Sequence, residues 1–194
     1  MSTFNFARKE ISFKIVYYGP ALSGKTTSLR YIYGNLPDKV KGGFTSIATE
    51  TERTLFFDFL PLELGSIKGF KIRLSLYTVP GQFIYKLTRK SVLRATDGII
   101  FVADSQKRKK EENLYSFNDM QENLEDFGES LDKIPLVFQY NKRDFPENEI
   151  MSVEELQELL NKENKYQYFE SIATEGKGVL EALKSITKLV VSKI

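Results

Sequence analysis

Residues 19–26 combine glycines, a lysine and a threonine at a spacing suited to holding phosphate groups. They read Gly-Pro-Ala-Leu-Ser-Gly-Lys-Thr, follow an apolar strand-like run and open a helical pattern, which is the context of a P-loop. Glycines let backbone N–H groups turn towards phosphate oxygens, and a helix N-terminus adds partial positive charge. We expect Lys25 to bridge the β- and γ-phosphates of a nucleotide and the Thr26 hydroxyl to ligate Mg²⁺. The residues expected to contact the nucleotide here are Gly19, Leu22, Ser23, Gly24, Lys25, Thr26 and Thr27.

A second polar motif, Asn141-Lys142-Arg143-Asp144, ends a later apolar strand. A carboxylate at Asp144 can accept hydrogen bonds from N1–H and the exocyclic amino group of guanine, whereas adenine lacks this pair of donors. Because an unpaired carboxylate in a binding site is costly, the motif predicts selectivity for guanine. Asn141 and Lys142 are expected to brace the loop. The motif resembles the NKxD motif of Ras-like GTPases and follows the P-loop in the same order.

Residues 171–174, Ser-Ile-Ala-Thr, resemble a weakened form of the SAK motif of the same proteins. The Ala173 backbone N–H would then bind guanine O6. The motif is uninformative alone, and it gains weight only as the third member of an ordered series.

Residues 78–82 read Thr-Val-Pro-Gly-Gln where Ras-like proteins carry DxxGQ. Gly81 would contact the γ-phosphate through its N–H, and Gln82 would orient the attacking water. The expected Asp, which normally helps to hold Mg²⁺, is replaced by Thr78. The sequence therefore does not identify the residue that supports the outer shell of the metal.

The elements that must position these motifs alternate along the chain. Short apolar runs alternate with helical patterns, which predicts an α/β fold with a mostly parallel sheet flanked by helices. An N-terminal hairpin of residues 2–7 and 11–19 adds an extra strand, and residues 36–53 are predicted to form a mobile loop. Ser152 and Glu155 indicate a capping box, and an apolar stripe predicts a last helix over Val179–Val191.

Composition limits the function classes. The 194 residues fit a single domain over 1–194, and a net charge of +2 gives no global attraction to nucleic acid or membrane. Without Cys or His, catalysis must come from positioning, electrostatics and metal. The chain shows no signal peptide, membrane span or lipidation motif, so we expect a cytoplasmic protein without a direct lipid anchor.

The departure at Thr78 also points to a subfamily. Residues 78–82, Arg53-Thr54 before the run 55–61, and residues 173–178 strongly resemble the MglA family of bacterial Ras-like small GTPases, over essentially the whole chain. The resemblance implies a Ras-like P-loop fold and a GDP/GTP switch that hydrolyses GTP and controls cell polarity and gliding motility.

The same resemblance implies partners and two further site residues. An MglB-like Roadblock homodimer would stimulate hydrolysis by repositioning Arg53, and Thr54 would ligate Mg²⁺ in the GTP state. Effectors of polarity or motility would act downstream, and any recruitment to a cell pole would need a partner. Such an arginine contributes roughly 10³–10⁵ in rate, which is enough to separate a slow switch from a stimulated one.

Alternatives remain at this level. A scaffold of the same fold that binds nucleotide but barely hydrolyses it would suit Thr78, whereas Arg53, Thr54 and Gln82 favour the enzyme. A P-loop kinase is disfavoured by the guanine motif. Asp58 lies within a large apolar strand and either has a buried partner or, as the sequence favours, faces solvent. The basic run 107–110 is predicted to be a solvated turn rather than a binding surface.

Overall fold

The computed structural model describes residues 3–47 and 57–194, in which eight strands form one mixed sheet accompanied by five α-helices. The elements in chain order are β1 (Thr3–Asn5), β2 (Glu10–Tyr18), α1 (Lys25–Asn35), β3 (Thr45–Ile47), β4 (Phe57–Ile67), β5 (Phe70–Thr78), α2 (Lys86–Leu93), β6 (Gly98–Asp104), α3 (Lys110–Glu125), β7 (Leu136–Asn141), α4 (Val153–Leu160), β8 (Gln167–Glu170) and α5 (Val179–Val191).

The sheet runs in the spatial order β3-β4-β5-β2-β6-β7-β8, and β1 pairs with the start of β2. The five strands from β5 to β8 are parallel neighbours. Strands β3, β4 and β1 join by antiparallel pairing. This arrangement confirms the predicted α/β fold with a mostly parallel sheet and an extra N-terminal strand.

The core lies on both faces of the sheet, because successive side chains of a strand point to opposite faces. Along β2, Ile15 and Tyr17 pack in one cluster with residues of α1 and α5. Val16 and Tyr18 pack in a second cluster with residues of α2, α3 and α4. Strands β6 and β7, covered on both faces, are buried at every residue, which explains their continuous apolar runs.

Several local predictions are confirmed. The N-terminal hairpin forms, with Phe4 opposite Ile11, and α5 has the predicted bounds. At the start of α4, the Ser152 hydroxyl accepts from the Glu155 N–H while the Glu155 carboxylate accepts from the Ser152 N–H. This is the capping box that the sequence indicated.

Two elements differ from the sequence prediction. Strand β3 lies within the segment 36–53 that was predicted to be a loop throughout, and it pairs with β4. Helix α2 was not predicted, because its sequence shows no regular apolar stripe: Leu87 is exposed, whereas Thr88 and Arg89 are buried.

The basic run forms a short 3₁₀ turn, 107–109, that leads into α3, as the solvated-turn interpretation predicts. Lys109 pairs with Glu112, and Lys107 donates to the Asn148 carbonyl. Across residues 3–47 and 57–194, no helix combines the length and apolar character needed to cross a bilayer.

Parallel strands place their carboxyl ends at one edge of the sheet, where ligands of open α/β folds bind. The loops that follow β2, β5, β6, β7 and β8 therefore meet at this edge. They contain the P-loop, residues 79–82, the NKxD-like motif and residues 171–178.

Candidate nucleotide-binding site

The P-loop connects β2 to α1 through a backbone that depends on glycine. Gly19 has a φ of 139°, and a Cβ there would lie 2.2 Å from the Val102 carbonyl oxygen. Gly24, with a φ of 108°, is the N-cap of α1 and gives it no side-chain cap. The first turn of α1 thus offers backbone N–H groups to an anion, as the motif requires.

Lys25, the first residue of α1, is almost fully buried, and its ammonium group curls back onto the P-loop. It donates to the carbonyl oxygens of Gly19 at 2.8 Å and Pro20 at 2.5 Å. Burial, and secondarily the nearby charge of Arg89, lowers the pKa of Lys25 to about 7, while Asp58 acts in the opposite direction. Negative charge placed beside this ammonium would stabilise its protonated form.

Asn141, at the end of β7, joins the P-loop to the last loop of the site. Its Nδ2 donates to the Ser23 carbonyl at 2.7 Å, and its Oδ1 accepts from the Ser171 hydroxyl at 3.1 Å and the Ala173 N–H at 2.9 Å. A Cβ at Gly24 would lie 2.1 Å from this Nδ2. The Ala173 N–H assigned to guanine O6 from the sequence is thus bonded to Asn141 in this structure.

The two charged residues of the NKxD-like motif have different surroundings. Lys142 donates from Nζ to Asp104 Oδ2 at 2.6 Å, and Asp104 is fully buried, so the ammonium is held against the end of β6. Asp144 is exposed. It forms no hydrogen bond or ion pair with any residue in the described part of the chain, which leaves both of its oxygens able to accept from a ligand.

Asp58 lies beside the Thr26 hydroxyl, and the sequence interpretation that it faces solvent is wrong. It is 4% exposed. Its Oδ2 accepts from Thr26 at 2.6 Å and from Thr78 at 2.8 Å, and its Oδ1 accepts from Ser46 at 2.7 Å. The Asp58 N–H in turn donates to the Thr78 hydroxyl at 2.9 Å. A carboxylate therefore reaches the expected metal ligand from β4 instead of from the end of β5.

The alternation of side chains between the two faces of β4 indicates that Asp58 is buried. Asp58, Leu60 and Leu62 share one face of the strand and are all buried. A carboxylate in phase with two core leucines indicates a paired buried group. The identity of its partner could not be predicted, because Thr26 is 32 residues away in the sequence.

Gly81 lies directly against the P-loop, since a Cβ there would be 2.2 Å from the Ala21 nitrogen. The side chain of Gln82 is exposed, but its main-chain carbonyl accepts from Arg89 Nη1 at 2.5 Å. Arg89 and Gly81 line a cavity of about 260 Å³ beside Pro20 and Ala21. Arg53 and Thr54, the other predicted site residues of this region, lie outside the described residues.

This fold and this set of loops define a small G-protein. Residues 14–192 match the model of the Ras family, and the chain belongs to that family of small GTPases. Over its full length it is 50% identical to the mutual gliding-motility protein MglA of Myxococcus xanthus (strain DK1622), 98% of which is covered. The family resemblance expected from the sequence is confirmed.

Asn141 generates a prediction about coupling within the site. Asn141→Ala leaves the Ser23 carbonyl and the Ala173 N–H without their partner, so we expect unfolding in urea to become easier by about 2–4 kcal/mol. GDP binding, measured by fluorescence titration, should weaken in parallel because the P-loop is no longer held. Asn148→Ala, an exposed amide on the neighbouring loop, is the control and should change neither quantity. Wild-type stability of Asn141→Ala would contradict the coupling.

Proposed function

We propose that this small GTPase is a GTP/GDP switch that binds Mg²⁺ with the nucleotide, hydrolyses GTP, and controls cell polarity or motility. The observation that carries the proposal is the meeting of three loops at one sheet edge, where Asn141 bonds the P-loop to the loop of Ala173. The likeness to a gliding-motility protein supports the biological process. The site would act in the cytoplasm, with recruitment to a pole through partners.

The nucleotide would lie across the joined loops, with its phosphates at the start of α1 and its base beside β7. Lys25 would exchange its P-loop carbonyl partners for phosphate oxygens, which match its charge better. Asp144 would accept from guanine. The Ala173 N–H would turn from Asn141 Oδ1 to guanine O6, while the Ser171 hydroxyl would keep its bond to that Asn141 oxygen. The other proposed contacts are Gly19, Leu22, Ser23, Gly24, Thr26, Thr27, Asn141 and Lys142.

The donor set near Thr26 fits Mg²⁺, which prefers hard oxygen ligands and keeps several waters. The Thr26 hydroxyl would ligate the ion directly, and Thr54 would add a second hydroxyl in the GTP state. Asp58, already 2.6 Å from the Thr26 hydroxyl, would hold water of the outer shell. The ion would neutralise charge on the phosphate oxygens.

Asp58 also bears on the alternative of a scaffold without hydrolysis. That alternative rested on Thr78, which removes a carboxylate from its usual place. Asp58 puts a carboxylate beside both Thr26 and Thr78. The main argument for a scaffold without hydrolysis is therefore weakened, and a GTP-hydrolysing enzyme is favoured.

Hydrolysis would depend on residues that meet charge developing in the transition state. The Gly81 N–H would contact the γ-phosphate, and the Gln82 amide would orient water. Arg53 would act as the intrinsic arginine once a partner repositions it.

The surface around the P-loop supports a docked protein partner. Leu22, Ile84 and Leu87 are mostly exposed, and Ile84 lines the same cavity as Ala21. Exposed apolar surface at the rim of a cavity, as at Ile84, supports an interaction site there. We assign this surface to the MglB-like Roadblock homodimer that the resemblance implies.

Guanine selectivity tests the base site. In Asp144→Ala the charged acceptor of two hydrogen bonds is lost, so preference for GTP over ATP should fall by more than about tenfold. Competition binding against a fluorescent guanine nucleotide measures it. Glu147→Ala, an exposed carboxylate in the same loop, should keep wild-type preference. Equal affinity of the unmodified chain for ATP and GTP would refute the assignment.

The proposed role of Asp58 beside Mg²⁺ is tested by removing its carboxylate and placing one at residue 78. Asp58→Asn should raise the Mg²⁺ concentration needed to slow GDP release by about tenfold or more, since an outer-shell anion is lost. The double variant Asp58→Asn with Thr78→Asp returns the carboxylate to the usual strand end and should recover much of that loss. Ser46→Ala removes only a neighbouring hydroxyl and serves as the control. Unchanged Mg²⁺ dependence of GDP release in Asp58→Asn would exclude the role.

Hydrolysis with saturating Roadblock partner tests the catalytic residues. Arg53→Ala and Gln82→Leu should keep GTP affinity within a few-fold, because their contacts form with the transition state, while stimulated turnover falls by about 10³. Arg8→Ala, on the distant N-terminal hairpin, is the matched arginine control. Normal stimulation of Arg53→Ala would place the arginine in the partner, and absent hydrolysis by the wild-type chain would favour the scaffold.

A further inference from the structure

Helix α2 is joined to α3 by a buried ion pair that none of the nucleotide motifs includes. Arg89 is 2% exposed and Asp119 is 3% exposed. Arg89 Nε lies 2.7 Å from Asp119 Oδ2, and Arg89 Nη2 lies 3.3 Å from Asp119 Oδ1. This two-pronged geometry is characteristic of strong, charge-assisted arginine–carboxylate pairs.

Asp119 has further partners that fix it in place. The Tyr18 hydroxyl donates to Asp119 Oδ2 at 2.5 Å, and Asn123 Nδ2 donates to the same oxygen at 3.2 Å. Tyr18 is the last residue of β2 and directly precedes the P-loop. The carboxylate therefore ties α3 both to α2 and to the strand that carries the P-loop.

The remaining nitrogen of the Arg89 guanidinium, Nη1, does not bond Asp119. Arg89 Nη1 donates to the main-chain carbonyl of Gln82 at 2.5 Å. Gly81, the preceding residue, is in contact with Ala21 of the P-loop. The Tyr85 N–H donates to the same Gln82 carbonyl at 3.2 Å. Arg89 is thus the buried side chain of α2 that, together with this turn, holds the segment that would present Gly81 and Gln82 to the γ-phosphate.

We propose that Arg89 is a positioning residue for GTP hydrolysis: its guanidinium, locked by Asp119, holds the Gln82 carbonyl and so sets where the Gln82 amide lies beside the P-loop. The inference rests on the proposed hydrolysis by Gln82. Moving the Arg89 guanidinium away would leave the Asp119 carboxylate buried without a cation, which is costly. The ion pair is therefore not easily broken. The Gln82 carbonyl is therefore bonded to a side chain that is itself fixed on α3.

Arginine suits this position and lysine does not. A guanidinium has N–H donors along different edges of its plane and can bond a carboxylate and a carbonyl at once, whereas an ammonium is a single point charge. Arg89→Lys should keep a cation near Asp119 and lose the arm to Gln82. Two exposed pairs also join α2 to α3, Lys86 with Glu122 and Lys90 with Asp126, but such pairs contribute little to stability.

The test uses single-turnover GTP hydrolysis with saturating Roadblock partner, together with GDP affinity. Arg89→Lys and the charge-free double variant Arg89→Met with Asp119→Leu should both hydrolyse GTP at least about tenfold more slowly while binding GDP within about threefold of wild type. The double variant leaves no buried charge unpaired. The Tyr18 hydroxyl, which loses Asp119, keeps its hydrogen bond with Asn123 Nδ2, so the variant is expected to fold. Lys90→Gln, which breaks an exposed pair on the same helix, should behave like wild type.

A double-mutant cycle separates positioning from a merely structural role. If Arg89 acts through Gln82, introducing Arg89→Lys into the Gln82→Leu chain should slow hydrolysis by less than about twofold. An equal loss in both backgrounds, or wild-type hydrolysis by both Arg89 variants, would overturn the inference. If the unmodified chain fails to hydrolyse GTP with its partner, the proposed function itself fails, which is a distinguishable result.

Discussion

The buried amide of Asn141 is the contact on which the geometry of the whole site depends. It ends β7 and bonds the Ser23 carbonyl after β2 and both Ser171 and Ala173 after β8. Hydrogen bonds shielded from water are costly to break without replacement. The P-loop and the loop of Ala173 consequently cannot shift independently, so a ligand that contacts both would meet a fixed geometry.

This constraint gives Gly24 a second reason to be glycine. Its φ of 108° already disfavours a side chain, and Asn141 Nδ2 occupies the space that a Cβ would need. The glycine of the phosphate motif and the asparagine of the base motif are thus one packing unit, although they are far apart in the sequence. Their co-occurrence in the chain is a structural requirement as well as a chemical one.

The sequence predicted those parts of the fold and site that are encoded locally. The P-loop and the NKxD-like motif each require a preceding strand, and the apolar runs before them are visible in the sequence. Asp58 was misjudged because its partners, Thr26 and Thr78, come from other elements and only the tertiary fold brings them together.

Helix α2 escaped prediction for a related reason. Hydrophobic periodicity detects helices that bury apolar side chains, but the buried face of α2 includes Thr88 and Arg89, and Leu87 is exposed. Arg89 is buried because Asp119 on α3 neutralises it. A charged residue on the buried face weakens the apolar periodicity from which a helix is recognised. The buried Arg89 that suggests a role for α2 is therefore also the reason that the sequence does not predict this helix.

Three aspartates are almost fully buried in the described part of the chain, and each fixes a different part of the site. Asp58 holds the hydroxyls of Thr26 and Thr78, Asp104 holds Lys142, and Asp119 holds Arg89. Burying a carboxylate is expensive unless its partners are held in place. Each aspartate therefore restricts its partner to one position. Asp58 does so beside the P-loop, Asp104 beside the NKxD-like motif, and Asp119 beside the segment of Gln82. In a chain without histidine, control of geometry by buried carboxylates is a physical route to catalysis that needs no group titrating near neutrality.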